Sequence, residues 1–148
     1  MLVPYGMADR PHPACPLTMD VKPRGNGDTQ VFHVELDAAP GWDYYRRWRR
    51  TWDSTEPALL TIIDDYELAT GAGVEFYWQT RLPVTIDGPR AIIVGKRGQA
   101  VIDAPAGCAW RLDEFPLLDG MQHRLAIRRE GKTGSLKIQV RLSTSHCC

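Results

Sequence analysis

The sequence lacks most of what would announce an enzyme, a membrane protein or a nucleic-acid binder. Its 18 basic and 18 acidic side chains cancel over 148 residues, which argues against general affinity for nucleic acid or an anionic bilayer. No apolar run approaches the roughly 18 residues needed to span a membrane. Met1 to Arg10 has no basic region leading into an apolar stretch, so no secretory leader is expected there. Serine is scarce, with four in the chain, and no G-x-S-x-G or H-E-x-x-H occurs. A base, its orienting partner and a nucleophile must converge on one point, whereas His12, His33, His123 and His146 are scattered. No catalytic residue is therefore nominated, and no cofactor is expected.

Cysteine is also sparse. The four residues stand at 15, 108, 147 and 148, and no C-x2-4-C pair of the kind that builds structural zinc sites is present. His12, Cys15, His146, Cys147 and Cys148 supply ligand chemistry, but the favoured reading is a loop thiol and a terminal tail. No metal is assigned.

What is present is strand-like. Residues 1–29 hold five of the eleven prolines, and Pro11, Pro13 and Pro16 forbid a continuous helix. This stretch reads as an irregular arm carrying at most a short edge strand. Residues 30–144 read as one β-sandwich domain, and 145–148 as a tail. Gln30–Asp37 alternates. Pro57–Leu68 begins as an apolar run suited to burial on both faces. Val74, Phe76 and Trp78 oppose Glu75, Tyr77 and Gln79. Short strands follow at Val84–Ile86, Ala91–Val94, Ala100–Asp103, Cys108–Leu112 and Gln122–Glu130. The last strand points Leu136, Ile138, Val140 and Leu142 inward. Turn signals every 8–12 residues make this an all-β fold: an antiparallel β-sandwich of roughly ten short strands.

The segment Trp42–Trp52 carries the most suggestive chemistry. Read as a helix it gathers Trp42, Tyr45, Trp48 or Arg49, and Trp52; aromatic enrichment favours a strand. As a strand it lines up Trp42, Tyr44, Arg46, Trp48, Arg50 and Trp52 on one face. Aromatic rings stack on sugars and arginine forks grip carboxylate or sulfate. Tyr44, Arg46, Trp48 and Arg50 are thus the candidate contacts to an acidic polysaccharide. The competing reading is core filling, with arginine covering the rings. Asp64 and Asp65 resemble paired carboxylates, but neighbours on a strand point to opposite faces. They read as a strand end with solvated or arginine-paired acids. The Gly25/Gly27 and Gly71/Gly73 pairs read as turns, since no helix follows to complete a phosphate loop.

Several of these segments carry a family likeness. Tyr44-Tyr45-Arg46-Arg47-Trp48-Arg49-Arg50, Leu59-Leu60-Thr61-Ile62-Ile63-Asp64-Asp65 and Val74-Glu75-Phe76-Tyr77-Trp78-Gln79-Thr80 come in succession. Ile86-Asp87-Gly88 and Ala91-Ile92-Ile93-Val94 follow. Over Val31 to Leu142 this resembles the C-terminal β-sandwich region of heparinase II/III-like polysaccharide lyases. The resemblance implies an upstream catalytic toroid of helices and cleavage of uronic-acid chains, such as glycosaminoglycans or alginate, by β-elimination. In that reaction the carboxylate is neutralised, a base removes the C5 proton and an acid assists the leaving oxygen. The catalytic Tyr and His, and any metal-binding His and Asp, lie in the toroid or early in the sandwich region, and none maps onto Met1–Cys148. The resemblance therefore implies a late, non-catalytic piece of such a lyase, inactive alone, working in the periplasm or outside the cell. A free-standing carbohydrate-binding module and a structural interaction domain are the alternatives.

Overall fold

The computed structural model describes residues 2–5, 23–28, 30–39 and 43–144. Among them are twelve strands and no helix: β1 Leu2–Pro4, β2 Arg24–Gly27, β3 Phe32–Asp37, β4 Tyr45–Asp53, β5 Leu59–Leu68, β6 Gly73–Thr80, β7 Val84–Asp87, β8 Arg90–Gly95, β9 Gly98–Asp103, β10 Arg111–Leu117, β11 Gly120–Glu130 and β12 Thr133–Thr144. The expected all-β sandwich is present. Two segments of the proline-rich arm are strands, and Leu2 and Val3 are buried.

All pairings are antiparallel. An eight-stranded sheet runs β2-β3-β4-β5-β12-β9-β8-β7, and a four-stranded sheet runs β1-β6-β11-β10. Their facing surfaces make the core. Alternation decides what points in: Leu136, Ile138 and Val140 on β12 pair with Asp64, Ile62 and Leu60 on β5, and Ile102 pairs with Val140. Phe76, Leu125 and Ile127 close the core from the smaller sheet. Each fully buried side chain of this kind contributes about 1.5–3 kcal/mol.

Three local expectations change. β5 is not buried on both faces: its even-numbered residues from Ile62 to Leu68 are buried, and the alternate ones are half-exposed. The Cys108–Leu112 strand begins at Arg111 instead. Cys108 to Trp110 form a loop in which buried Trp110 donates from Nε1 to the Ile102 carbonyl at 3.2 Å. Gly25 and Gly27 belong to β2, not to a turn. A side chain at Gly25 would start 2.1 Å from the His33 carbonyl oxygen, so the close strand approach, and not a phosphate loop, explains the glycine.

Because every neighbour is antiparallel, connections alternate between the two ends of the sandwich. The β2–β3, β4–β5, β6–β7, β8–β9 and β10–β11 connections share one end with the close of β12. The opposite end holds the Ala69–Ala72, Gly88-Pro89 and Gly131-Lys132 turns.

Candidate functional site

The strand expected between Trp42 and Trp52 exists as β4, but its residues do not share one face. Trp42 lies outside the described residues. The register against β5 shifts between Tyr45 and Arg47. This bulge leaves one residue unmatched, so the inward set becomes Tyr45, Trp48, Arg50 and Trp52. Tyr45 and Trp48 stack with ring centroids 4.8 Å apart. Arg46 is thrown outward, 70% of its side chain exposed, 3.7 Å from Glu67. Tyr44 packs partly against the core. The four sequence-nominated contacts therefore do not form one row: Trp48 and Arg50 face the core, and Arg46 faces solvent.

The inward residues build a buried polar centre around Asp64. Its carboxylate is wholly buried. It accepts from Trp48 Nε1 at 2.7 Å and from Arg50 Nε and Nη2 at 2.7 and 2.8 Å. The Arg50 side chain is 13% exposed. Its guanidinium lies 5.3, 5.7 and 5.9 Å from the Trp48, Trp52 and Phe76 ring centroids. Burial leads the causes that push the neighbouring Tyr45 hydroxyl above its ordinary pKa, with the Asp64 charge second; that hydroxyl donates to the Leu2 carbonyl at 3.0 Å. The arginine-paired reading of the acids thus holds for Asp64. Asp65 points away on the other face.

A second network covers the outer face of the four-stranded sheet. Glu75 is 4% exposed although its side chain leaves the core. It accepts from Tyr77 Oη at 2.5 Å, Arg111 Nη1 at 3.2 Å and Arg128 Nη2 at 3.1 Å. Burial alone would raise the Glu75 carboxyl, but these donors outweigh it and hold its pKa below the ordinary value. Burial, followed by the bond to Glu75, pushes the Tyr77 hydroxyl up to about 12. Arg124 pairs with Asp113 at 3.0 Å and lies between the Tyr77 and Phe115 rings. Alternation on β6 places Glu75 and Tyr77 together in the sequence. Their arginines come from β10 and β11, 36 and 53 residues away, and no local pattern signals that meeting.

Of the two described histidines, His33 is a structural partner. His33 Nδ1 lies 2.7 Å from Asp53 Oδ2. The Asp53 bond is the main cause that raises the His33 pKa. Asp53 is held down at about 2, first by Thr55 and then by His33. His123 Nδ1 lies 3.2 Å from Glu114 Oε1, outside hydrogen-bonding geometry. Among the described residues no group of three His, Cys, Asp or Glu side chains is placed to hold a metal. His12, Cys15, His146, Cys147 and Cys148 lie outside them. No described helix is long and apolar enough to cross a membrane.

No protein-family model matches this chain, and no curated protein matches it. Solved structures do. Heparan sulfate lyase HepC from Pedobacter heparinus superposes with a TM-score of 0.63 over 86% of this chain at 12% identity. A mutant of that enzyme gives 0.64 at the same coverage and identity. A heparinase III gives 0.64 over 84% at 9% identity. The chain spans 22% of HepC and 21% of that heparinase III. At these identities the likeness is one of fold: this chain has the all-β architecture found within heparan sulfate lyases.

Proposed function

We propose that this chain is the non-catalytic, C-terminal β-sandwich of a heparinase-type polysaccharide lyase, a scaffold for the part that carries the chemistry. One observation carries the reading: a TM-score of 0.63 to HepC over 86% of this chain, within 22% of the enzyme's length. The order of β4, β5 and β6 segments that resembles the heparinase II/III-like lyases supports it independently. So does the use of the strongest ionic groups, Asp64 and Glu75, inside sheets. On this reading the working partner is a helical catalytic toroid, and the chain operates in the periplasm or outside the cell.

The accessory contact to acidic polysaccharide belongs to Arg46. It is the nominated side chain most open to solvent, and exposed Arg47 and Arg49 stand beside it on β4, in register with Glu67 and Asp65 of β5. Trp48 and Arg50 serve the core.

Two measurements test the proposal. Purified chain incubated with heparan sulfate, heparin or alginate is expected to give no rise in the ultraviolet absorbance of unsaturated uronate. A sustained rise refutes the non-catalytic role. Binding to immobilised heparin is expected to weaken with Arg46→Ala and to follow salt. Absence of binding, or binding indifferent to that change, removes the glycan contact and leaves the scaffold role to be judged by the coding sequence beside this one. That DNA is expected to encode helical hairpins; unrelated flanking sequence overturns the scaffold role.

A further inference from the structure

The large hydrophobic side chains left in solvent are not spread evenly. Nine are prominent among the described residues, and most sit toward one end of the sandwich, among them Val31, Leu82, Leu117, Leu118, Met121 and Leu142. Leu118 occupies the tip of the β10–β11 hairpin, fully exposed, at a position that turn chemistry ordinarily gives to a polar residue or glycine. Soluble monomers rarely expose contiguous apolar patches unless the patch has a use.

These residues are contiguous. An ion pair of 2.8 Å between Arg81 and Asp119 ties the β6–β7 connection to the hairpin tip. Leu82, next along, lines a 670 Å³ cavity with Ala58, Ala100 and Leu142. Ala58 and Leu142 also line an adjoining 500 Å³ cavity with Val31 and Leu60. The strip therefore runs from β3 across β12 to the hairpin, where the four-stranded sheet stops short of covering the larger one.

Its charges say what it fits. Arg81 and Asp119 neutralise each other. The exposed acid Glu56 stands on the β4–β5 connection, and the exposed bases Lys96 and Arg97 stand on the β8–β9 connection. In the strand order β4-β5-β12-β9-β8 these connections flank β12, and so Leu142. The strip is apolar in the middle, acidic on one side and basic on the other. That arrangement is complementary to itself: a two-fold axis near Leu142 sets Glu56 of one copy against Lys96 and Arg97 of the other, while the apolar centres meet. A polyanion or an anionic bilayer would instead require an unopposed basic surface.

We propose that this end is a self-association surface through which two copies of the chain pair by a two-fold contact. The inference does not rest on the lyase reading. Sedimentation velocity across a wide concentration series is expected to convert a 16.7 kDa species to one of twice that mass. Leu118→Asp and Leu142→Asp are expected to raise the dissociation constant about tenfold or more each. Ile86→Asp, at an exposed residue toward the opposite end, leaves it unchanged. Circular dichroism checks that each variant stays folded, and the exposure of all three positions favours this. Charge exchange gives the sharper readout. Glu56→Lys weakens pairing, and Lys96→Glu with Arg97→Glu in the same chain restores it. A monomer at every concentration overturns the proposal. So does a dimer that ignores both the leucine changes and the charge exchange.

Discussion

The Arg50–Asp64 pair should dominate the response of this fold to single substitutions. Asp64 is wholly buried and Arg50 nearly so, and water therefore screens neither charge effectively. Asp64→Leu leaves the guanidinium under three aromatic rings with no counter-charge and removes the acceptor of Trp48 Nε1. Breaking a buried pair from one side costs about 3–5 kcal/mol, and an orphaned buried donor costs about 1–3 kcal/mol. The two overlap, so roughly 4–6 kcal/mol is expected from these terms together, against a total stability of about 5–15 kcal/mol. Arg50→Met strands the carboxylate and should cost about 3–5 kcal/mol. The double variant should recover much of the loss, leaving mainly the lost Trp48–Asp64 bond at about 1–3 kcal/mol. Urea unfolding followed by tryptophan fluorescence reads all four corners of the cycle. Arg46→Ala is the exposed control, expected within about 1 kcal/mol of wild type. If Asp64→Leu matches that control, or the double variant equals the sum of the singles, the buried pair is not the centre described here.

Other outcomes follow from the same geometry. Trp48→Ala should cost about 3–5 kcal/mol, measured as a lower urea midpoint, so it reports on folding and not on glycan contact. Glu75 has a depressed pKa in the fold. Its contribution is present above the unfolded value of 4.5 and is lost as pH falls through the folded value. Glu75→Gln should therefore flatten the acid side of the stability curve; an unchanged acid limb would show that the arginine network contributes nothing. His33 has a raised pKa, so its contribution is full below the unfolded value of 6.5 and fades as pH rises through the folded one. The melting temperatures of wild type and His33→Gln should accordingly separate below the unfolded value and converge as pH rises past the folded one.

The fold was legible because side-chain alternation reports directly on a two-sided sheet. β12 shows this most plainly, with Leu136, Ile138 and Val140 buried as their spacing requires, whereas Leu142, expected inward with them, is 55% exposed at the strand's end. The candidate site was less legible for two physical reasons. A bulge inserts one residue and inverts the faces on one side of it. Nothing in Tyr45-Arg46-Arg47 marks that insertion, because it arises from the register against β5. The slip took Arg46 out of the proposed row and put Tyr45 in its place, while Trp48 and Arg50 keep their shared face, which is the core and not the surface. The second reason is distance along the chain. Glu75 draws Arg111 and Arg128 from strands that become neighbours once the four-stranded sheet has formed, so its local sequence holds one carboxylate and no sign of its partners. Both cases have the same consequence for function. Aromatic and arginine residues close together in sequence suggested a ligand; cross-strand pairing assigns Trp48 and Arg50 to the protein itself. The unoccupied chemistry lies where alternation ends, at Leu118 and Leu142 and the charged connections beside them.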